Sequence, residues 1–183
     1  MTVMSRLLLI CASFTLFAQP PTNPIAKVYD GDLAMIESEL VPLVEAMPEA
    51  KFGFAPKDGE FKNARTFAQQ ATHIASVNYA VAAAMMGEKN PIDMGQSENG
   101  PATLKTKADI VQFVKDSFAY THKAMAKLSE KALTEPIASA FNAKKQVPRA
   151  SMASVPVWHS FDHYGQMVVY ARMNGIIPPA SRR

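Results

Sequence analysis

Cysteine is almost absent from the 183-residue chain, which has only Cys11. This residue lies in an apolar stretch, residues 7–18, that follows Arg6. We expect residues 1–18 to be a signal peptide, because the stretch has the length of a signal-peptide core and is too short to span a bilayer. The alternatives are an uncleaved anchor or a wrongly assigned start of the chain. Cleavage after Ala18 would leave an exported chain without a thiol, and so without a cysteine nucleophile or disulfide.

A dense basic surface and a membrane span are also missing. The formal net charge is only +3, and no lysine- and arginine-rich run is interleaved with aromatic residues. We therefore expect no nucleic-acid partner. After residue 18 no apolar stretch is long enough to cross a membrane, so we expect no membrane span in the mature chain. The length and the 48% hydrophobic content predict a single domain, residues 19–183, with its own core.

Alternation typical of strands is scarce, and helical periodicity dominates. Thr66 and Thr106 each begin a capping-box pattern, and Gly87 is placed to end a helix. Pro42 should kink the first helix or end it early. We expect residues 130–150 to be irregular. The predicted helices cover residues 24–47, 64–87, 107–129 and 151–174. The fold class is therefore predicted to be all-α, a four-helix bundle.

Two histidines, His159 and His163, lie four residues apart in the last predicted helix. At about 100° per residue they share one helix face, so both can turn a ring nitrogen toward a single divalent cation. Asp162 flanks this face and can accept the outer N–H of an imidazole. Gln166 extends the same line, where it can either orient a ligand or form a hydrogen bond within the bundle.

A histidine pair alone holds a metal loosely, so a third ligand is needed, and His73 on the second predicted helix is the candidate. His122 has lysines at positions 115, 123 and 127 nearby, a poor setting for a cation, and we interpret it as a bystander. Three imidazoles suit zinc or nickel, with iron or copper as alternatives, and leave the ion an open position. The competing interpretation is that the histidines are core residues bonded to carbonyls or carboxylates.

Two stretches resemble the DinB/YfiT-like superfamily. The segment VWHSFDHYGQMVVYARMNGIIPP is similar to the closing helix of that family, whose hallmark is H-x-x-x-H followed by Gly-Gln and a proline pair. The segment KFGFAPKDGEFKNARTFAQQATHIASVNYA is similar to the start of its second helix. The resemblance extends over residues 25–179.

The resemblance implies a four-helix bundle in which His73, His159 and His163 hold a metal. It also implies a homodimer. Characterised relatives include thiol-dependent transferases and isomerases, and metal-dependent hydrolases. We therefore expect an exported, metal-dependent hydrolase or transferase that acts on a small molecule. The alternative is a non-catalytic metal-binding or interaction protein of the same fold.

Overall fold

The structure is a computed structural model that describes residues 23–182, and long helices dominate it. The expected signal peptide, residues 1–18, lies outside the described residues. The elements in chain order are α1 (Pro24–Ala46), α2 (Phe67–Met86), α3 (Lys107–Met125), α4 (Glu130–Thr134), β1 (Pro136–Ser139), β2 (Asn142–Pro148) and α5 (Arg149–Met173). The predicted all-α class and the four long helices are confirmed.

Local chemistry sets the ends of α2, as the sequence predicts. The backbone N–H of Gln69 donates to the Thr66 hydroxyl at 3.2 Å, and the Thr66 N–H donates to the Gln69 side chain at 2.9 Å. This reciprocal pair satisfies two N–H groups that the first turn leaves without partners. At the other end Gly87 adopts φ +69°, a left-handed conformation that glycine accepts without a steric cost.

Pro42 does not end α1, and the expectation of an early end is wrong. The helix continues through Pro42 to Ala46. Leu43 and Val44, which follow the proline, are fully buried. Burying each such side chain is worth about 1.5–3 kcal/mol, so core packing holds the last turn in place despite the lost hydrogen bond.

The four long helices enclose one core in which α2 contacts α3 and α5, and α1 contacts the same two helices. The α2 and α5 helices run antiparallel, because Arg149 at the start of α5 bonds to the carbonyl of Met85 at the end of α2. The largest fully buried side chains include Phe67, Phe118, Leu33, Ile36, Leu40, Ile74 and Met167. Of the helices in residues 23–182, none combines the length and the apolar character needed to cross a membrane.

Residues 130–150 are ordered, which corrects the expectation of an irregular stretch. They form the short α4 and an antiparallel hairpin in which Pro136 pairs with Pro148 and Ile137 with Val147. The second strand is almost entirely exposed, so it lacks the alternation of apolar and polar residues that would reveal it in the sequence. The bundle therefore carries a hairpin between α4 and α5.

Candidate metal centre

Three histidines from two helices meet between α2 and α5. The Nε2 atom of His159 lies 3.2 Å from Nε2 of His73 and 3.1 Å from Nε2 of His163. One ring nitrogen from each histidine falls within 4.8 Å of the others. The structure thus brings together the three residues that the sequence analysis selected as metal ligands.

The two helices impose this arrangement through simple periodicity. His159 and His163 are one turn apart on α5, and the antiparallel α2 places His73 opposite them. His73 and His163 are buried, whereas His159 is partly buried. The ring centroids are 4.5–5.0 Å apart, and the ring planes are inclined to one another by 62–77° rather than stacked. Together with the short Nε2–Nε2 distances, this arrangement turns the Nε2 atoms of the three rings toward one another.

The outer nitrogens of two of the rings have fixed partners. Nδ1 of His73 lies 3.2 Å from the backbone carbonyl of Glu98, and Nδ1 of His163 lies 2.5 Å from Oε1 of Gln70. Because both partners are oxygen acceptors, each Nδ1 must carry the proton and donate it. In the neutral ring this leaves Nε2 with a bare lone pair that faces the centre of the cluster.

Counting the protons and lone pairs on the three inward Nε2 atoms tests whether the residues fit a cation. With Nε2 of His73 and of His163 bare, His159 can offer at most one Nε2 proton to one of them. At least one inward lone pair then stays unmatched, whereas a divalent cation satisfies all three. Imidazole nitrogens around a tetrahedral zinc ion are spaced about 3.3 Å apart. The observed 3.1 and 3.2 Å spacings are close to this value, so the donor set fits a metal.

Burial keeps the three rings neutral, as metal ligation requires. Burial and the neighbouring imidazoles lower the pKa of His159 from its ordinary 6.5 to about 3. Burial and the His73 ring lower the pKa of His163 to about 4. Burial, followed by the charge of Arg65, also lowers the pKa of His73. At neutral pH the lone pairs are therefore available.

Of the two flanking residues suggested by the sequence, Asp162 departs from the expectation, whereas Gln166 follows one of its two alternatives. Asp162 is exposed, and the outer nitrogen of His163 bonds to Gln70 rather than to this carboxylate. Asp162 acts on His163 only through its charge, which raises the pKa of that ring against the larger effect of burial. Gln166 does bond within the bundle, because its Oε1 accepts from Nε2 of Gln70 at 3.0 Å. The result is a chain from Gln166 through Gln70 to His163.

Sequence reasoning missed Gln70 and Glu98. Gln70 precedes His73 by three residues on α2, so helical spacing alone would have placed it on the histidine face. Glu98 comes from the loop that links α2 to α3, where no periodicity applies. Its carboxylate lies 3.8 Å from Nδ1 of His73, on the outer side of the ring, and its side chain is about half exposed.

His122 lies apart from the cluster, between α1 and α3, but its surroundings differ from the expectation. Its Nδ1 lies 2.5 Å from Asp30 and its Nε2 lies 2.9 Å from Glu37, so acidic groups rather than lysines surround it. Burial lowers the pKa of His122, yet the hydrogen bonds to Glu37 and Asp30 outweigh burial and leave the pKa raised. His122 is therefore the charged centre of a polar contact between two helices.

The comparisons with known proteins agree with this geometry. The profile of the DinB superfamily matches residues 33–167, a span that contains all three clustered histidines. The chain belongs to the DinB superfamily. This confirms the resemblance to the DinB/YfiT-like proteins that the two sequence segments indicated.

A solved structure supports the fold of this DinB-superfamily chain. A DinB-like protein from Bacillus cereus ATCC 10987 superimposes with a TM-score of 0.64 at 16% sequence identity. The match covers 82% of this chain and 93% of that one. At this level of identity the likeness establishes the fold alone. No curated protein matches the chain.

Proposed function

We propose that this DinB-superfamily protein is an exported, metal-dependent hydrolase or transferase that acts on a small molecule. Its metal ligands would be His73, His159 and His163. The observation that carries the proposal is the convergence of three Nε2 atoms while the outer nitrogens of His73 and His163 donate elsewhere. Zinc or nickel suits three imidazoles best, with iron or copper as alternatives.

A divalent metal bound by three imidazoles supplies Lewis-acid chemistry with a coordination position left for another ligand. The chain's own residues prepare that chemistry. Gln70 fixes the tautomer and ring orientation of His163, and the Glu98 carbonyl does the same for His73. Burial between α2 and α5 keeps both rings uncharged.

Glu98 is not placed to act as a general base at the proposed metal. Its carboxylate approaches the outer nitrogen of His73 and not the inner edge of the cluster. We therefore assign Glu98 to holding and polarising His73 rather than to removing a proton from a substrate. This position also favours the second candidate, a non-catalytic metal-binding protein, because a general base would have to stand on the inner side.

Export is proposed from the apolar residues 7–18 behind Arg6. A homodimer is proposed as well, and exposed apolar side chains on the neighbouring helices α1 and α5 support it. Val28 and Met35 on α1 are 61% and 58% exposed, and Val169 and Met173 on α5 are 51% and 55% exposed. Light scattering should report a dimer that Met35→Glu converts to a monomer; a wild-type monomer would contradict the proposal.

Metal analysis of the mature protein, purified without chelator, tests the proposed function. We expect about one divalent ion per chain, and its absence would contradict the metal site. Hydrolysis of small esters and amides, and transfer of small thiols, should then be measured before and after chelation. Turnover that chelation removes and metal restores supports the enzyme. About one metal ion per chain with neither hydrolysis of esters and amides nor transfer of thiols supports the non-catalytic candidate.

A further inference from the structure

The loop that contacts His73 also holds Arg65, which has no carboxylate partner among residues 23–182. Resting on the proposed metal site, we infer that Arg65 is the anion-binding residue of this centre. It would hold a carboxylate or phosphate group of the substrate while another atom of the same molecule binds the metal. The substrate class is therefore a small molecule with an oxyanion at one end and a metal-binding donor at the other.

Arg65 lines a polar cavity of about 510 Å³ at the start of α2. The other polar side chains around it are Asn63, Gln69, Gln96, Ser97 and Asn99. None of the described residues that line the cavity is acidic. A cavity with one fixed cation and neutral polar walls is suited to a ligand that carries negative charge.

The guanidinium is anchored yet keeps donors for a ligand. Nε of Arg65 donates to Oδ1 of Asn99 at 2.9 Å, and Nη2 donates to the carbonyl of Ser97 at 2.9 Å. Both acceptors are neutral, and within residues 23–182 Arg65 forms no ion pair. A guanidinium has five N–H donors, so those that remain can form the paired hydrogen bonds that carboxylates and phosphates accept.

One short loop fixes this arginine relative to the metal ligands. Ser97 and Asn99 hold Arg65, while the residue between them, Glu98, holds His73 through its carbonyl. The guanidinium of Arg65 and the ring of His73 are therefore held by three consecutive residues of one loop.

Backbone strain is concentrated at the same place. In residues 23–182 the non-glycine residues with positive φ are Asn63 (66°), Ser97 (54°) and Glu98 (59°). Two of them line the cavity, and the third contacts His73. Such conformations persist where the surrounding structure requires them, and they cluster at binding sites. The strained loop is what presents consecutive residues to the arginine and to the metal ligand.

The test uses thiols that bind a metal at one end and vary at the other. The full mature protein is loaded with cobalt(II), whose thiolate absorption band reports binding. Each anionic thiol is compared with the neutral mercaptoalcohol of equal length; the anionic thiols are mercaptoacetate, 3-mercaptopropionate and 4-mercaptobutyrate. A further probe, 2-mercaptoethylphosphonate, tests whether the site prefers a phosphate-like group to a carboxylate. We expect wild-type protein to prefer the anionic thiol of the fitting length, or the phosphonate, by about tenfold or more.

Arg65→Gln should reduce that preference to about twofold or less, with unchanged affinity for the neutral thiols and unchanged cobalt content. Arg65→Lys keeps the positive charge but lacks the paired N–H donors of the guanidinium, so it should give an intermediate preference. The matched control is Lys131→Gln, which removes one positive charge from an exposed position on α4 and should retain the full preference.

The outcomes separate the two proposals. If the wild-type protein binds no cobalt, the proposed metal site fails before Arg65 is tested. If cobalt binds but no anionic thiol is preferred, or Arg65→Gln keeps the preference, the assignment of Arg65 is wrong. If Arg65→Gln loses cobalt or helical circular dichroism, Asn99→Ala, which releases one anchor of the guanidinium, decides the question. A preference unchanged by Asn99→Ala and Arg65→Lys contradicts the assignment, and a reduced preference in both supports it.

Discussion

The histidine cluster between α2 and α5 and the single His122 between α1 and α3 use the same side chain for opposite purposes. Both settings are largely buried, and in both burial by itself disfavours the charged imidazole. In the cluster burial lowers the pKa values most, and the neighbouring imidazoles and a guanidinium lower them further. At His122 the neighbours are the carboxylates of Asp30 and Glu37, so the pKa rises.

Burial lowers the pKa in both settings, so the difference teaches that the partners of a buried histidine decide whether this effect is reinforced or reversed. Neutral rings with inward lone pairs can accept a metal, whereas a charged ring between two carboxylates can only donate. His122 therefore stabilises the contact of two helices, and the cluster forms the candidate metal site. The following predictions are ways to break or sharpen this contrast.

The largest expected effect is on metal binding. His159→Ala removes the ligand that joins His73 and His163, so metal affinity should fall by more than about 100-fold while the helical circular dichroism is retained. His122→Ala, the matched control, should keep one metal per chain. Elemental analysis of both variants measures this, and full metal retention by His159→Ala would refute the site.

A smaller effect is expected from the residues that orient His163. Gln70→Leu removes the acceptor of its Nδ1–H and should weaken metal binding by about 10–100-fold. Gln166→Leu removes only the next link and should cost less than Gln70→Leu. Competition with a metal indicator measures both. The control is Gln112→Leu, a change in a glutamine that bonds to Asp116 on the exposed face of α3; if it matched Gln70→Leu, the orienting role would be lost.

Next in size is the stability contributed by His122. His122→Leu leaves Asp30 and Glu37 partly buried without their donors, which should lower the free energy of unfolding by about 1–3 kcal/mol after allowance for solvent screening. Lys115→Ala breaks an exposed ion pair with Glu45 between the same two helices and should cost no more than about 1 kcal/mol. Urea unfolding measures both variants, and equal costs would contradict the distinction.

The smallest effect is a difference in pH dependence in metal-free protein. The pKa of His122 is raised by folding, so its contribution is complete below its ordinary value of 6.5 and is lost as pH rises through the folded value. The stability difference between wild type and His122→Leu should therefore be larger at about pH 5.5 than at about pH 8.5. A difference independent of pH would show that His122 acts through packing alone.

The histidine cluster should make the stability of the metal-free protein depend on pH in the opposite direction. Unfolded His159 and His163 bind protons below their ordinary value of 6.5, whereas in the folded chain they do so only at about 3 and about 4. Stability of the metal-free protein should thus fall as pH drops below 6.5, and His159→Phe should reduce this loss. Urea unfolding across this range measures how the free energy of unfolding changes with pH. The same pH dependence in His159→Phe as in wild type would contradict a lowered pKa at His159.

Much of the framework could be predicted because its causes are local. The capping box of Thr66 and Gln69 and the left-handed Gly87 act within a few residues of themselves, so they mark the ends of α2 in any context. The turn spacing that places His159 and His163 on one face is likewise a property of one helix. The sequence by itself thus determined the bundle and the histidine pair.

Only the tertiary structure decided what those histidines meet. Gln70, rather than the expected Asp162, is the partner of His163, and Glu98 reaches His73 from the loop between α2 and α3, outside the predicted helices. The hairpin before α5 and the carboxylates around His122 were equally hidden. Apart from those of the hairpin, these contacts join residues that are far apart in the chain, and their pairing depends on how the helices and loops pack. A local pattern can place a side chain on one face of a helix, but the packing of helices and loops decides which group that side chain contacts.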